Sequence, residues 1–196
     1  GQQATVGPPF YNRWMAPIGL ILLALMGAAP LFGWRKTSSE SLKRAFRMPA
    51  IVMAVTMIVH LAVGKSLGFP AYVLDPPTYK GVVGAVVQQL AAIAPLITIA
   101  LVAFNFAVVY QEFQRGVKAR RKNASEGIFE ALITLVRKSR RRYGGYIVHV
   151  GIGLMYLGFC GKAWEVEKEA SLLPGQVAEV GGYKLTYQGS RREVDL

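Results

Sequence analysis

At 196 residues, 53% of them hydrophobic and with a mean hydropathy of +0.32, the chain is too apolar for an ordinary soluble domain of its length. A formal charge of +12 would suit nucleic acid only as a basic face on a soluble fold, whereas the cations here fall in two blocks between hydrophobic runs. That pattern excludes a nucleic-acid partner and marks a mainly α, polytopic membrane helix bundle.

In chain order, Gly1 to Trp14 carries Pro8-Pro9, Gly7 and Asn12, and is expected to be an extended entry with Phe10, Tyr11 and Trp14 at a membrane interface. No secretion signal is visible, and with no initial methionine the chain is expected to be a fragment or one product of a split protein. Residues 15–34 read as the first of about four spans, with Pro17 in its first turn and Pro30 bending or ending it. Residues 35–47 hold Arg35, Lys36, Lys43, Arg44 and Arg47 against Glu40, a cytoplasmic loop. Residues 48–69 form the second span, with Thr56, His60 and Gly64 spaced by four along one face. The nearly neutral loop after it belongs on the other side.

Residues 82–110 are a longer apolar run containing Pro95, more than a bilayer needs, so tilt, a kink or an extension past the interface is expected. Gln88, Gln89 and Asn105 within it read as helix–helix hydrogen bonds. The second cytoplasmic loop, 111–142, carries ten basic groups against Glu112, Glu126 and Glu130. Inside it Ser125 is expected to cap an amphipathic helix whose apolar stripe, Ile128, Phe129, Leu132, Ile133, Leu135 and Val136, lies flat on the inner leaflet with its cations near anionic lipid.

Residues 143–160 form the fourth span. The region 1–162 is therefore taken as transmembrane, and 163–196 as the start of an extracytoplasmic β domain with turns at Pro174-Gly175 and Gly181-Gly182. The charge pattern puts both termini outside the cytoplasm. No second catalytic set is visible: there is no HExxH, CxxC or phosphate-binding loop.

The chemistry-bearing residues are the two histidines, both in spans. The plain reading of each is a hydrogen bond to a neighbouring helix; the sharper one is a ligand, because an ionisable or metal-binding group in hydrocarbon is costly. His149 sits one helical turn from Gly145 and from Gly153 on one face, leaving room for a flat macrocycle. Counted from the span starts, His149 lies roughly 9 Å deep and His60 roughly 18 Å. Axial ligands meet one iron from opposite faces of the ring, so the two are not expected to share a heme, and His60 is read as a packing residue.

The stretches VGPPFYNRWMAPIGLILLALMGAAPLFGWRK, EFQRGVKARRK and above all RRRYGGYIVHVGIGLMYLGFCG with LLPGQVAEVGGYKLTYQG resemble the C-terminal portion of the CcmF family, membrane subunits of the cytochrome c maturation heme lyase related to NrfE. The resemblance implies attachment of heme to apocytochrome c outside the bacterial inner membrane. It further implies the partners CcmE, CcmH and CcmI, and a b-type heme that relays electrons from quinol. By motif match His149 is one axial ligand of that heme b iron. Arg140, Arg141 and Arg142 are most simply a stop and orientation signal, with a secondary role against heme propionates or a quinone headgroup.

The tryptophan-rich WWD segment, its flanking histidines and the second heme-ligand histidine are absent from this sequence. Activity by this chain alone is therefore not expected; the remainder of a CcmF-like protein must supply those parts. The competing reading is a non-enzymatic membrane adaptor binding partner subunits and anionic lipid.

Overall fold

In the computed structural model, residues 8–32, 38–73, 81–123 and 126–190 are described, with the side chains of 8–14, Val83 and Asn123 left aside. Within them lie five α-helices: α1 (Pro8–Ala28), α2 (Ser39–Val63), α3 (Gly81–Asn123), α4 (Ile128–Lys138) and α5 (Arg140–Cys160). Two strands follow, β1 (Val177–Val180) and β2 (Tyr183–Thr186). The contacts divide the chain into two units, Gly1–Ala163 and Trp164–Leu196.

The fold is mainly helical, and three helices are long and apolar enough to cross a membrane: Ser39–Val63, Gly84–Lys122 and Arg140–Trp164. The first expected span is present as a shorter apolar helical stretch, Met15–Leu31. The extended entry is corrected in part, because α1 already begins at Pro8. A proline pair has its φ pre-set for a first turn, where no amide donor is needed. Pro17 therefore lies well inside the helix rather than in its first turn. The expected break at Pro30 is found, as a 3-10 turn over Ala29–Leu31. Phe10, Tyr11 and Trp14 fall among the side chains left aside.

Most of the expected loop 35–47 is helix instead, from Ser39 onward. Ser38 caps α2 by accepting a hydrogen bond from the Ser41 amide at 3.2 Å, and Glu40 sits in the first turn, where a carboxylate favours the helix dipole. The third expected span lies within a much longer helix: α3 has 43 residues, about 65 Å at 1.5 Å per residue, more than the roughly 30 Å hydrocarbon core of a bilayer, and Pro95 is accommodated inside it. Ser125 lies outside the described residues. The N-cap of α4 is Gly127, whose position makes no side-chain cap bond.

The core is α3. Of its apolar window 56% is buried, against 11% in each of α2 and α5. Close approach is made by small residues. A Cβ on Gly27 of α1 would stand 2.8 Å from Asn105 Nδ2 and from Phe104, so α1 reaches α3 only because that position is bare. Leu31, Ala45, Phe104 and Val108 then close a cluster joining the end of α1, α2 and α3, with Phe46 bridging Phe32 and Phe104 at ring separations of 6.1 and 6.0 Å.

Polar side chains of α3 lock two of these contacts. Asn105 Nδ2 donates to Leu23 O of α1 at 3.0 Å, the helix–helix bond expected of it. Gln89 differs: it accepts from Tyr72 Oη at 2.7 Å, tying the segment after α2 to α3 rather than helix to helix. Gln111 Nε2 donates to Ala45 O of α2 at 3.1 Å. That carbonyl lacks its helical donor because the residue four positions on is Pro49, fully buried inside α2. Gln111 supplies the missing hydrogen bond.

The second unit is a hairpin. β1 and β2 pair antiparallel from Val177↔Thr186 to Val180↔Tyr183, turning at Gly181 (φ 58°) and Gly182 (φ 84°), the two left-handed positions a two-residue primed turn requires. Glu179 and Lys184 face each other across the strands at 3.2 Å.

Replacing Gln111 with leucine should cost about 1–2 kcal/mol by stranding the Ala45 carbonyl. In a Pro49→Ala background, where α2 regains its own donor, the same change should cost measurably less. Thermal unfolding in detergent as a double-mutant cycle checks this.

Candidate functional site

The sequence directs attention to His149, and the geometry of its neighbourhood begins one turn earlier. Glu112 of α3 is 3% exposed and accepts from Arg142 Nη2 at 2.6 Å, from Arg115 Nη1 at 2.8 Å and from Tyr146 Oη at 3.2 Å. Arg142 and Tyr146 belong to α5, one turn apart, and the Arg142 Nε also reaches Tyr146 Oη at 3.3 Å. A buried carboxylate satisfied three times joins α3 to the start of α5; deprived of those donors it would be an unpaired charge.

Around this ionic knot lies an aromatic layer. Phe113 stands 5.0 Å from the Tyr143 ring and 6.2 Å from Tyr146, and Arg142 lies 5.8 Å and 6.0 Å from the same two rings. Gly116 of α3 admits Tyr143, whose hydroxyl occupies the space a Cβ would take, and Leu135 of α4 presses on the same spot. Val109, Tyr143 and Tyr146 are the buried members, with Leu135 and Val136 packed on them, so α4 docks here.

His149 follows on the same helix. Its ring meets Tyr146 edge-on, centroids 6.3 Å apart and planes at 74°. The imidazole is half-buried, and none of the described residues hydrogen-bonds it. The two glycines flanking it turn out unequal. At Gly145 nothing lies within 4 Å of where a Cβ would stand, whereas at Gly153 a Cβ would be 2.6 Å from Phe106 and 3.5 Å from Val102. The expectation of bare turns on both sides therefore holds only toward Arg142; on the other side the glycine admits α3. Gly144, Gly151 and Gly158 also meet nothing within 4 Å, so within the described residues Gly153 alone of the α5 glycines is a close-packing position. Farther along, Tyr156 Oη donates to Gly19 O of α1 at 2.9 Å.

His60 is placed elsewhere and differently. It is 8% exposed, its Nε2 lies 2.8 Å from Phe69 O, and its ring covers Gly64 at the end of α2. It closes the turn from Gly64 to Phe69, in which the Phe69 amide donates to Gly64 O at 2.8 Å. Among the described residues no group of three or more histidine, cysteine or carboxylate side chains converges as a metal site.

Glu112 was counted in the sequence only as one acid in a basic loop. Its signal was present: it is the lone carboxylate between Asp75 and Glu126, directly after an apolar run. An isolated charge at such a position needs a partner. Which of ten cations answers could not be read from spacing.

No family model matches the chain. Over 187 residues it is 23% identical to the cytochrome c-type biogenesis protein CcmF of Haemophilus influenzae, covering 94% of this chain and 24% of that protein. To the cytochrome c-type biogenesis protein CycK of Rhizobium meliloti it is 26% identical over 193 residues, with 97% and 24% covered. To CcmF of Pseudomonas aeruginosa it is 23% identical over 193 residues, again with 97% and 24% covered. No solved structure matches. The helices and these matches define a membrane protein similar to cytochrome c-type biogenesis proteins. More narrowly, the chain resembles a C-terminal portion of the CcmF family, and it spans about a quarter of the length of the curated relatives it matches.

Two outcomes test the ionic framework. Glu112→Ala should destabilise the protein by about 2–4 kcal/mol, well beyond Arg115→Ala, because it takes the shared acceptor from three donors at once, whereas Arg115→Ala leaves Glu112 with Arg142 and Tyr146; detergent melting curves measure both. At the start of α4, two hydrogen bonds from Arg120, at 2.6 and 2.5 Å, hold the Glu126 carboxyl below the usual carboxylate range. A depressed folded value means that this contribution is present above the ordinary carboxylate pKa of about 4.3 and is lost as pH falls through the lower folded value. The wild type should therefore lose its small stability advantage over Glu126→Gln in acid, with the two melting curves converging.

Proposed function

We propose that the chain is the part of a cytochrome c maturation protein that holds a b-type heme in the membrane, with His149 as one axial ligand. The observation that carries this reading is the His149 imidazole: half-buried in a membrane-length helix, not hydrogen-bonded by any described residue, with open space beside Gly145 one turn away. Such an imidazole fits a ligand role better than a packing role. His60, with its Nε2 held near a backbone carbonyl, fits the packing role. The relatives' description as cytochrome c-type biogenesis proteins supports the wider process.

A b-type heme supplies a reversible one-electron carrier, which suits the reduction of an incoming heme iron by electrons from quinol. This chain's residues would do the holding. His149 would bind the iron, and Tyr146, edge-on to it and itself anchored on Glu112, would limit rotation of α5 and of the imidazole. Gly145 would leave room for a flat ring, and Phe106 would close the side toward Gly153. The second ligand, the tryptophan-rich surface for substrate heme, and the contacts to CcmE, CcmH, CcmI and apocytochrome c belong in this reading to the remainder of a CcmF-like protein. The chain would sit in a bacterial inner membrane with Met15–Leu31 as a fourth span and both termini outside the cytoplasm. The alternative, an adaptor without heme, draws on the exposed apolar residues of α4 and its basic surroundings.

In the assembled full-length protein, His149→Ala should abolish the b-type absorbance and holocytochrome c formation, while His60→Ala should keep the spectrum. An unchanged reduced spectrum in His149→Ala would overturn the assignment, and a wild-type complex purified with its partners yet lacking a Soret band would favour the adaptor.

A further inference from the structure

A cleft of about 800 Å³ opens between α3, α4 and α5, in the size range of small-ligand sites. Its walls carry Arg115, Arg120, Lys138 and Arg142 against a single carboxylate, Glu112, for a net of three positive charges. Counting Glu126, which pairs with Arg120, the wall still keeps two. Arg137, Arg140 and Arg141 line a shallower depression that shares Lys138, Ser139 and Arg142 with it, so no acidic surface intervenes on that side. Gly116 and Tyr143 lie in the wall and Leu135 in its apolar part, so the cleft is made by the same packing that docks α4.

Beside it, α4 spends only part of its apolar stripe on the protein. Ala131 is fully buried and Leu135 packs on Tyr143, while Ile128 (62% exposed) and Phe129 (77%), with Leu132 and Ile133, remain uncovered. Basic cleft and uncovered apolar stripe occur on one short helix, just where the hydrocarbon-length windows of α3 and α5 become cationic. A soluble phosphate would use the cations and leave the stripe in water. An amphiphile with an anionic head satisfies both.

We propose that this cleft binds the headgroup phosphate of an anionic phospholipid, with the acyl chains against Ile128, Phe129, Leu132 and Ile133. Lys138, in no ion pair among the described residues, is the principal phosphate contact, and Arg115 is the second: it is paired with Glu112 through Nη1 alone and is 49% exposed, whereas Arg120 gives both Nε and Nη2 to Glu126 and Arg142 gives Nη2 to Glu112 and Nε to Tyr146. α4 then serves as a clamp laid at the headgroup level, its polar side holding the lipid and its apolar side immersed. The inference is independent of any heme at His149.

The test titrates short-chain phosphatidylglycerol, phosphatidylcholine or inorganic phosphate onto the full-length protein in neutral detergent, with bound species read by native mass spectrometry. Phosphatidylglycerol should bind in preference to phosphatidylcholine, with affinity about fivefold weaker in Lys138→Gln and about twentyfold weaker in Arg115→Gln/Lys138→Gln. Removing the same charge from α2, as Lys43→Gln/Arg44→Gln, should change it less than twofold. Lys138→Gln alters no ion pair seen among the described residues, so a folding defect in the double variant leaves the single one to decide. Equal loss in the α2 variant, equal binding of phosphatidylcholine, or displacement of the lipid by inorganic phosphate at the same concentration would each overturn the proposal.

Discussion

One buried helix carries the bundle, and the polar side chains it extends decide how the others meet it. In lipid, apolar helices gain little from hiding apolar surface against each other, so hydrogen bonds and close packing set their register. α3 makes one such bond to α1 through Asn105 and one to α2 through Gln111, and to α5 it presents Glu112. Each partner atom is particular. Gln111 meets the carbonyl that Pro49 deprives of a donor, and Asn105 reaches Leu23 O across Gly27, the position where α1 has no side chain. A one-turn slip of α1 or α5 would break its bond and collide at its glycine, Gly27 or Gly153.

The setting of α5 has consequences for His149. Arg142 and Tyr146 are held by the same carboxylate, which fixes both the height and the rotation of the helix one turn before the histidine. One turn after it, Gly153 seats Phe106. The imidazole is therefore placed by constraints on both sides while taking part in neither. A side chain whose supports are satisfied without it is well suited to spend its own nitrogen on something else.

The same knot bounds the basic cleft, so the level of the cations and the level of the histidine are coupled. Tyr143 faces Gly116 and Leu135, and Tyr146 faces Glu112 and the His149 ring. Two adjacent turns of α5 thus separate a charged, water-facing end from an apolar interior. A bilayer boundary needs the same separation.

Sequence by itself determined the class of protein, the approximate helices, the Pro30 break, the glycine turn of the hairpin and the histidine worth attention. These are readable because apolar length, proline chemistry and left-handed glycine positions act locally. It missed the helical start at Pro8, where the proline pair reads as a sign of extended chain, and the capped start of α2 at Ser38, where the run of cations reads as a loop, although proline and serine each open helices. Only the tertiary structure decided that Glu112 is buried and answered by Arg142, that Gln111 completes α2, and that Gly145 is open while Gly153 is filled. Those facts depend on which residue of another helix arrives at a given height, and no spacing along one chain segment encodes that.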